Sequence, residues 1–254
     1  MAEDGGGAAT RRWLESAKKV VWIGQKDARI YYFKGPNVTF GLFLPLVLYW
    51  AFALDRDIAL AQVIPGLIAV AIFFGAGAIQ AISLPLERRT GTLHTLLATP
   101  VTLPIVVIGK TLAGLIFGVI LAAAYMVVAM LFLSFRPNII SFGLGVLLSA
   151  FCFSGFGLCL AAPFRDVPQA MPPATVVRIF IVFLSGAFAP LGDGSGIWTA
   201  IARLSPLTYS IDALYAAVAG PTSIAHSLLQ WGVLFVYGLL FLGITLRVLG
   251  RQEI

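Results

Sequence analysis

Glu87-Arg88-Arg89-Thr90-Gly91-Thr92-Leu93-His94-Thr95-Leu96-Leu97-Ala98-Thr99-Pro100 is a polar and basic interruption between two long apolar runs. Leu93, Leu96 and Leu97 fall at helical spacing, Thr90 or Thr92 stands where an N-cap would, and Pro100 pushes Thr99 out of helical geometry. The stretch therefore predicts a short helix of about two turns. Its leucines can rest on an apolar boundary while Glu87, Arg88, Arg89 and His94 face water or a partner. The same pattern occurs in plain charged loops at bilayer edges, so by itself it leaves a surface loop and a docking foot equally open.

Working outward, the whole chain has 254 residues, of which 59% are apolar and only 11% charged, with a mean hydropathy of +0.96. A soluble domain carries about 25% charged residues, so this composition belongs to the membrane class. The 17 basic residues against 11 acidic ones cluster at the ends of apolar runs, without a basic stripe interleaved with exposed aromatics. That placement argues against nucleic acid as a partner and reads as a topology signal. Cys152 and Cys159 sit on one face of an apolar helix, about 10 Å apart along its axis, too far for a disulfide and without further ligands for a metal.

Residues 1–10 are small and polar, predict a disordered N-terminus, and carry no secretory signal pattern. From 11 to 36 an amphipathic helix is expected in the headgroup region. Trp13, Leu14, Ala17, Val20, Val21, Gly24, Ala28, Tyr31 and Tyr32 recur at three- and four-residue steps, with basic residues between them, and Gly35-Pro36 ends the pattern. This helix reads either as a connector that carries motion into the first span or as an anchor on anionic lipid. Residues 37–254 form the membrane domain. Its six spans are expected near 38–54, 63–86, 105–133, 139–162, 170–191 and 225–247, each close to the roughly 20 residues that cross about 30 Å of hydrocarbon. The sequon Asn37-Val38-Thr39 lies at the mouth of the first span on the inner side and is read as chance.

With the amino terminus inside, the inner segments carry twelve Lys and Arg residues and the outer segments three, Arg56, Arg136 and Arg203. Both termini are therefore expected in the cytoplasm. Two further cations fall within spans. Lys110 lies close behind the foot and is expected to snorkel to the inner headgroups. Pro104–Thr111 ends like a phosphate-binding loop, but Pro104 replaces the first glycine, so the chain is not expected to hold an ATPase site. Arg178 sits about 12 Å into the fifth span and either lines a translocation path or snorkels. Gly114 and Gly118 in the third span, and Ser154, Gly155 and Gly157 in the fourth, predict close helix approach.

Between the fifth and sixth spans, a glycine-rich turn leads to Ser205-Pro206, a cap followed by a first-turn proline. These open a helix of about 14 residues, through Tyr209, Asp212 and Tyr215 to Gly220-Pro221. It is too short to span and should dip into the outer leaflet and return, or lie along it.

Three stretches in this order, Glu87–Val101, Phe183-Leu184-Ser185-Gly186-Ala187-Phe188-Ala189-Pro190-Leu191 and Leu204-Ser205-Pro206-Leu207-Thr208-Tyr209-Ser210-Ile211-Asp212-Ala213-Leu214, carry a family resemblance. The first resembles the coupling helix of ATP-binding-cassette (ABC) type-2 exporter permeases, and the other two resemble their outer signature segments, especially in the drug-resistance and nodulation-factor branch. Arg89 stands where relatives more often carry a second acid. The resemblance implies an all-α polytopic fold with six transmembrane helices, an N-terminal interfacial helix, a cytoplasmic coupling helix and a short re-entrant outer helix. It implies two copies side by side in the cell membrane of a bacterium or archaeon, joined beneath by two copies of a separate ATPase subunit that brings ATP and Mg. No cofactor is expected in the chain itself.

For the ATPase contact the resemblance points to Glu87, Arg88, Arg89, Thr90, Gly91, Thr92 and His94, with Gly91 permitting the turn. For the path it points to the first, second and fifth spans, with Phe73, Phe74, Gln80 and Arg178 as candidates. For an outer gate it points to Phe188, Pro190, Pro206, Tyr209, Asp212 and Tyr215. The apolar spans suit a lipophilic or amphiphilic cargo, drug-like or lipid-like, while glycan and lipo-oligosaccharide carriers share the motifs. A membrane-embedded enzyme would need clustered catalytic groups, and the chain has two histidines in unrelated places, His94 and His226. A channel or ion-coupled transporter would be expected to carry acids at mid-membrane, and the spans have essentially none.

Overall fold

The computed structural model describes residues 5–53, 60–132, 135–186, 197–218 and 224–252. The described residues form helices and turns with no strand. Among the described residues, five helical stretches, Val63–Arg89, Leu103–Phe132, Ile139–Ala161, Val167–Leu184 and Ser227–Gln252, are long and apolar enough to cross a membrane. The chain is an all-α, multi-pass membrane protein.

α1 runs over Gly5–Asp27, so residues 5–10 are helical where disorder was expected. Ala8 and Ala9 are good helix formers and extend a helix nucleated further along. A π-helical turn, Ala28–Tyr32, follows. Gly35-Pro36 opens the next helix, α2 (Gly35–Ala53), as well as closing the previous pattern, because a proline is well placed in a first turn. The second span is divided into α3 (Leu60–Ala78) and α4 (Gln80–Arg89), with Ile79 between them. Next come α5 (Thr92–Leu97) and α6 (Leu103–Phe132), then α7 (Ile139–Ala161), capped by Asn138 accepting from the amides of Ile140 and Ser141. α8 (Val167–Leu184) starts three residues before the expected 170 because the Asp166 side chain caps it. α9 (Ile197–Ala202), α10 (Pro206–Ala216) and α11 (Ile224–Gln252) complete the order.

α3 is the centre of the molecule. Ile68, Ile72 and Phe73 are fully buried together with Phe153 of α7 and Leu207 and Leu214 of α10. α10 has the expected Ser205 cap, which accepts from the Leu207 amide, and at 11 residues it is shorter than predicted. It dips into the bundle rather than lying along it, held by the Ser149–Ser210 hydroxyl pair at 2.7 Å and by Thr208 Oγ1 donating to the Ala202 carbonyl at 2.7 Å. These bonds satisfy polar groups that lipid could not.

In a bilayer apolar burial between helices gains little, so close backbone approach carries the packing. A Cβ on Gly157 of α7 would fall on the backbone of Gly77 in α3, and one on Gly114 of α6 would meet Ser154 and the Ala76 carbonyl. The sequence expectation of small-residue contacts in the third and fourth spans is met at these places. A further close approach joins α1 to α6, where a Cβ on Gly109 would lie 2.8 Å from Ile23. α1 therefore packs on the bundle as well as presenting Leu14, Val21 and Trp22 outward.

Candidate functional site

The foot is built around a sharp corner between α4 and α5. Gly91 adopts φ 73°, a left-handed conformation that glycine reaches without strain, and turns the chain so that α5 leaves α4 at once. The threonine cap expected for α5 is absent. Gly91 occupies the cap position with no side-chain bond, and the Thr90 hydroxyl turns back to the Leu86 carbonyl at 2.9 Å. Leu93 is fully buried among Leu84, Val106, Val107, Leu158 and Leu249, so the leucine stripe rests on protein. Arg89, Thr90, Thr92, His94 and Thr95 are exposed around it. No atom lies within 4 Å of a Cβ built on Gly91. Gly91→Ala is therefore expected to cost only the backbone strain, about 1 kcal/mol, with Gly91→Asn costing less; thermal unfolding of the purified chain checks the order.

Glu87 and Arg88 behave differently from the rest of the foot. Glu87 is 2% exposed and Arg88 7%, so neither offers its side chain to a surface. Arg88 donates through Nη1 to the carbonyls of Ala162 at 2.8 Å and Phe164 at 3.0 Å, and through Nη2 to Gln252 Oε1 at 2.6 Å. It thus ties the ends of α7 and α11 to α4, a cation seated at a helix C-terminus. Arg89 pairs with Asp166, the cap of α8, at 3.2 Å across an exposed surface.

Behind the foot lies a closed ring of four charges. Lys26 and Asp27 come from the end of α1, Glu87 from α4 and Lys110 from α6. Lys26 Nζ donates to Glu87 Oε1 at 2.6 Å and Lys110 Nζ to Asp27 Oδ2 at 2.9 Å. Lys110 also lies 2.7 Å from Glu87 Oε2, and Lys26 lies 3.2 Å from Asp27 Oδ1. Those last two contacts are close but poorly aligned, so they act as Coulombic attractions rather than hydrogen bonds. Asp27 and Lys110 are 0% and 1% exposed, and only Lys26 reaches solvent.

The ring is neutral, which is what allows four ions in so dry a place. The close approach of α1 and α6 at Gly109 brings the charges within reach. Burial works to lower the Lys26 pKa, but the carboxylates of Asp27 and Glu87 outweigh it and hold the ammonium above its ordinary value. Beside the ring, burial and then the Glu87 charge push the Tyr31 hydroxyl up to about 12. Lys19 adds an outer tie, donating to the Pro100 carbonyl at 2.8 Å.

The snorkelling expected of Lys110 is thus corrected: two carboxylates inside the protein outbid distant headgroups. The four path candidates are buried as well. Phe73 and Phe74 are 0% and 6% exposed, and Phe73 is packed at 4.9 Å from Phe153 and 5.6 Å from Phe156. Gln80 is fully buried and donates to Tyr32 and to the Lys110 carbonyl. Arg178, 3% exposed, donates to the Gly77 carbonyl at 2.7 Å and neither snorkels nor faces outward. All four side chains are buried within the chain.

At the opposite end, Phe188 and Pro190 fall outside the described residues. Pro206 is buried at the start of α10, Tyr209 is half-buried, and Asp212 and Tyr215 are exposed. Sequence reasoning passed over Asp27. Its signal was an acid one turn after Ile23 on the face of α1 that also carries Val20 and Gly24, facing a lysine at depth in the third span.

The family model described as ABC-2 type transporter matches residues 26–219, about three quarters of the chain. The match begins at Lys26 of the ring and ends just past α10. Among curated proteins none matches.

Proposed function

The chain belongs to the ABC-2 type transporter family, and from that premise we propose that it is the permease subunit of an ATP-driven exporter, working as a homodimer on two copies of a separate ATPase. The observation that carries this reading is the foot. α5 hangs from a left-handed corner, is anchored by one buried leucine, presents Thr92, His94 and Thr95 outward beside Arg89 at the end of α4, and is tied through Glu87 and the ion ring to α1 and α6. A push on α5 reaches two other helices through charge contacts rather than through loose loop. ATP binding, with Mg, belongs to the partner, and the foot end belongs on the cytoplasmic side of a bacterial or archaeal cell membrane.

The cargo is read as lipophilic or amphiphilic. If the first and fifth spans border the path between two copies, their open faces supply its lining. Phe43, Val47 and Trp50 on α2 and Val176, Phe180 and Phe183 on α8 are exposed and uncharged. A glycan would need many hydrogen-bonding groups, and among these residues only the Trp50 indole N–H is one.

Co-expression with a separate ABC ATPase subunit tests the reading. A complex that hydrolyses ATP in lipid is expected, and Thr92→Glu/His94→Glu is expected to lower ATPase retention about tenfold, roughly 1.4 kcal/mol, while leaving the melting temperature of the chain unchanged. Glu87→Ala is a poor probe of contact because it disrupts the ring first. Failure of any ATPase to associate, with transport by the chain alone, would remove the proposal.

A further inference from the structure

We propose that Arg178 and Tyr32 are positioning residues that set the bend in the second span, and so the angle at which the foot is held. α3 ends at Ala78 and α4 starts at Gln80, with Ile79 interrupting the helix. Pro85 supplies a local cause. It has no N–H to give the Ala81 carbonyl, and its ring crowds that carbonyl, so the helix bends just upstream. At the interruption the Ile79 carbonyl takes two amides, Ile82 at 3.0 Å and Ser83 at 2.9 Å, which tightens the first turn of α4.

A helix that stops leaves its last carbonyls without partners. Here two of them are filled from other elements: Ala76 O accepts from the Tyr32 hydroxyl at 3.3 Å, and Gly77 O accepts from Arg178 Nη2 at 2.7 Å. In an uninterrupted helix those carbonyls would take the amides of Gln80 and Ala81. A carbonyl can hold a side-chain donor beside its helical amide, as Lys110 O does for Gln80 within α6, but only in the interrupted form would these carbonyls be left unsatisfied without one, so the two side chains favour that form and shift the equilibrium toward it. Gly157 pressed against the Gly77 backbone forms the fulcrum.

The bend is joined to the ring by a continuous polar chain. Tyr32 accepts from Gln80 Nε2 at 2.7 Å, and Gln80 donates to the Lys110 carbonyl at 2.8 Å. Ser83 donates to Gln80 Oε1 at 3.2 Å, from the first turn of α4. Arg178 lies on α8, whose other residues mostly face outward, and its Nε makes no hydrogen bond. A shift of α8 against α3 thus acts on the bend through one guanidinium and one carbonyl. The ring fixes α4 to α1 and α6, whereas Arg178 joins the end of α3, just before the interruption, to α8.

The test uses the full chain alone in lipid nanodiscs, so it stands apart from the question of an ATPase partner. Spin labels go at Thr95 on the foot and at Ile140 near the start of α7, both exposed. α4 is a lever about 15 Å long, so a 10° change of bend moves its end by about 3 Å. Arg178→Gln is expected to shift or broaden the Thr95–Ile140 distance by that amount, Arg178→Lys to restore it, and Tyr32→Phe to shift it in the same direction. An unchanged distance in both Arg178→Gln and Tyr32→Phe overturns the proposal. So does a shift that Arg178→Lys fails to reverse, since that assigns the effect to general loss of packing. Should Arg178→Gln not yield folded protein, Tyr32→Phe decides alone.

Discussion

Lys110→Met is expected to destabilise the purified chain by about 3–5 kcal/mol, the cost of leaving buried charge uncompensated, and to lower its melting temperature by about 10 °C. Removing Lys110 leaves Asp27 with only a poorly aligned contact to Lys26 and takes from Glu87 one of its two cations. Methionine fills nearly the same volume, so the loss reports charge rather than a cavity. The double variant Lys110→Met/Asp27→Leu removes one ion of each sign and keeps the Lys26–Glu87 bond at 2.6 Å. It is expected to recover most of the stability, because the remaining ring is again neutral. Thermal unfolding of the two single variants and the double variant gives the coupling directly. A Lys110→Met variant within about 1 kcal/mol of the parent would mean that the ring is solvated and not a structural tie.

Gly157→Val is the second large effect. The added Cβ falls on the Gly77 carbonyl oxygen, carbonyl carbon and Cα, which are backbone atoms and cannot swing aside as the tip of a side chain would. Overpacking of this kind costs about 1–3 kcal/mol and more when backbone must move. Here the movement would also pull Gly77 from Arg178. The expected result is loss of most monodisperse protein on size exclusion, with Gly157→Ala intermediate. Gly143→Val in the same helix is the control, since nothing lies within 4 Å of a Cβ there. Equal recovery of the two valine variants would refute the close crossing of α3 and α7.

Much of the architecture was legible in one dimension. The apolar runs marked the spans to within a few residues for α6 and α7, and Ser205-Pro206 marked the start of α10, because helix length and capping are local consequences of sequence. Gly91 could be read as a corner for the same reason: only its own backbone decides whether φ 73° is tolerated. The Thr90 hydroxyl was misread as a cap because it has a competing local acceptor, the Leu86 carbonyl.

The roles of charged and polar side chains were not legible in this way. Glu87 and Arg88 read as surface groups beside Arg89, yet a helix turns 100° per residue, and which side faces protein depends on where α1, α7 and α11 lie. Lys110 and Arg178 each read as able to snorkel, since a long stem near a span end permits it. The structure gives Lys110 two carboxylates from segments 83 and 23 residues away in sequence, and Arg178 a carbonyl 101 residues away. The sequence by itself determined that the chain crosses a membrane as helices, roughly where the spans lie, and that a polar foot stands between the second and third spans; hydropathy, capping and backbone preference are properties of neighbouring residues. Only the tertiary structure decided which charges close into a neutral ring and which carbonyls hold the bend in the second span, because burial makes every unpaired polar group costly and its partner is set by which helices come together.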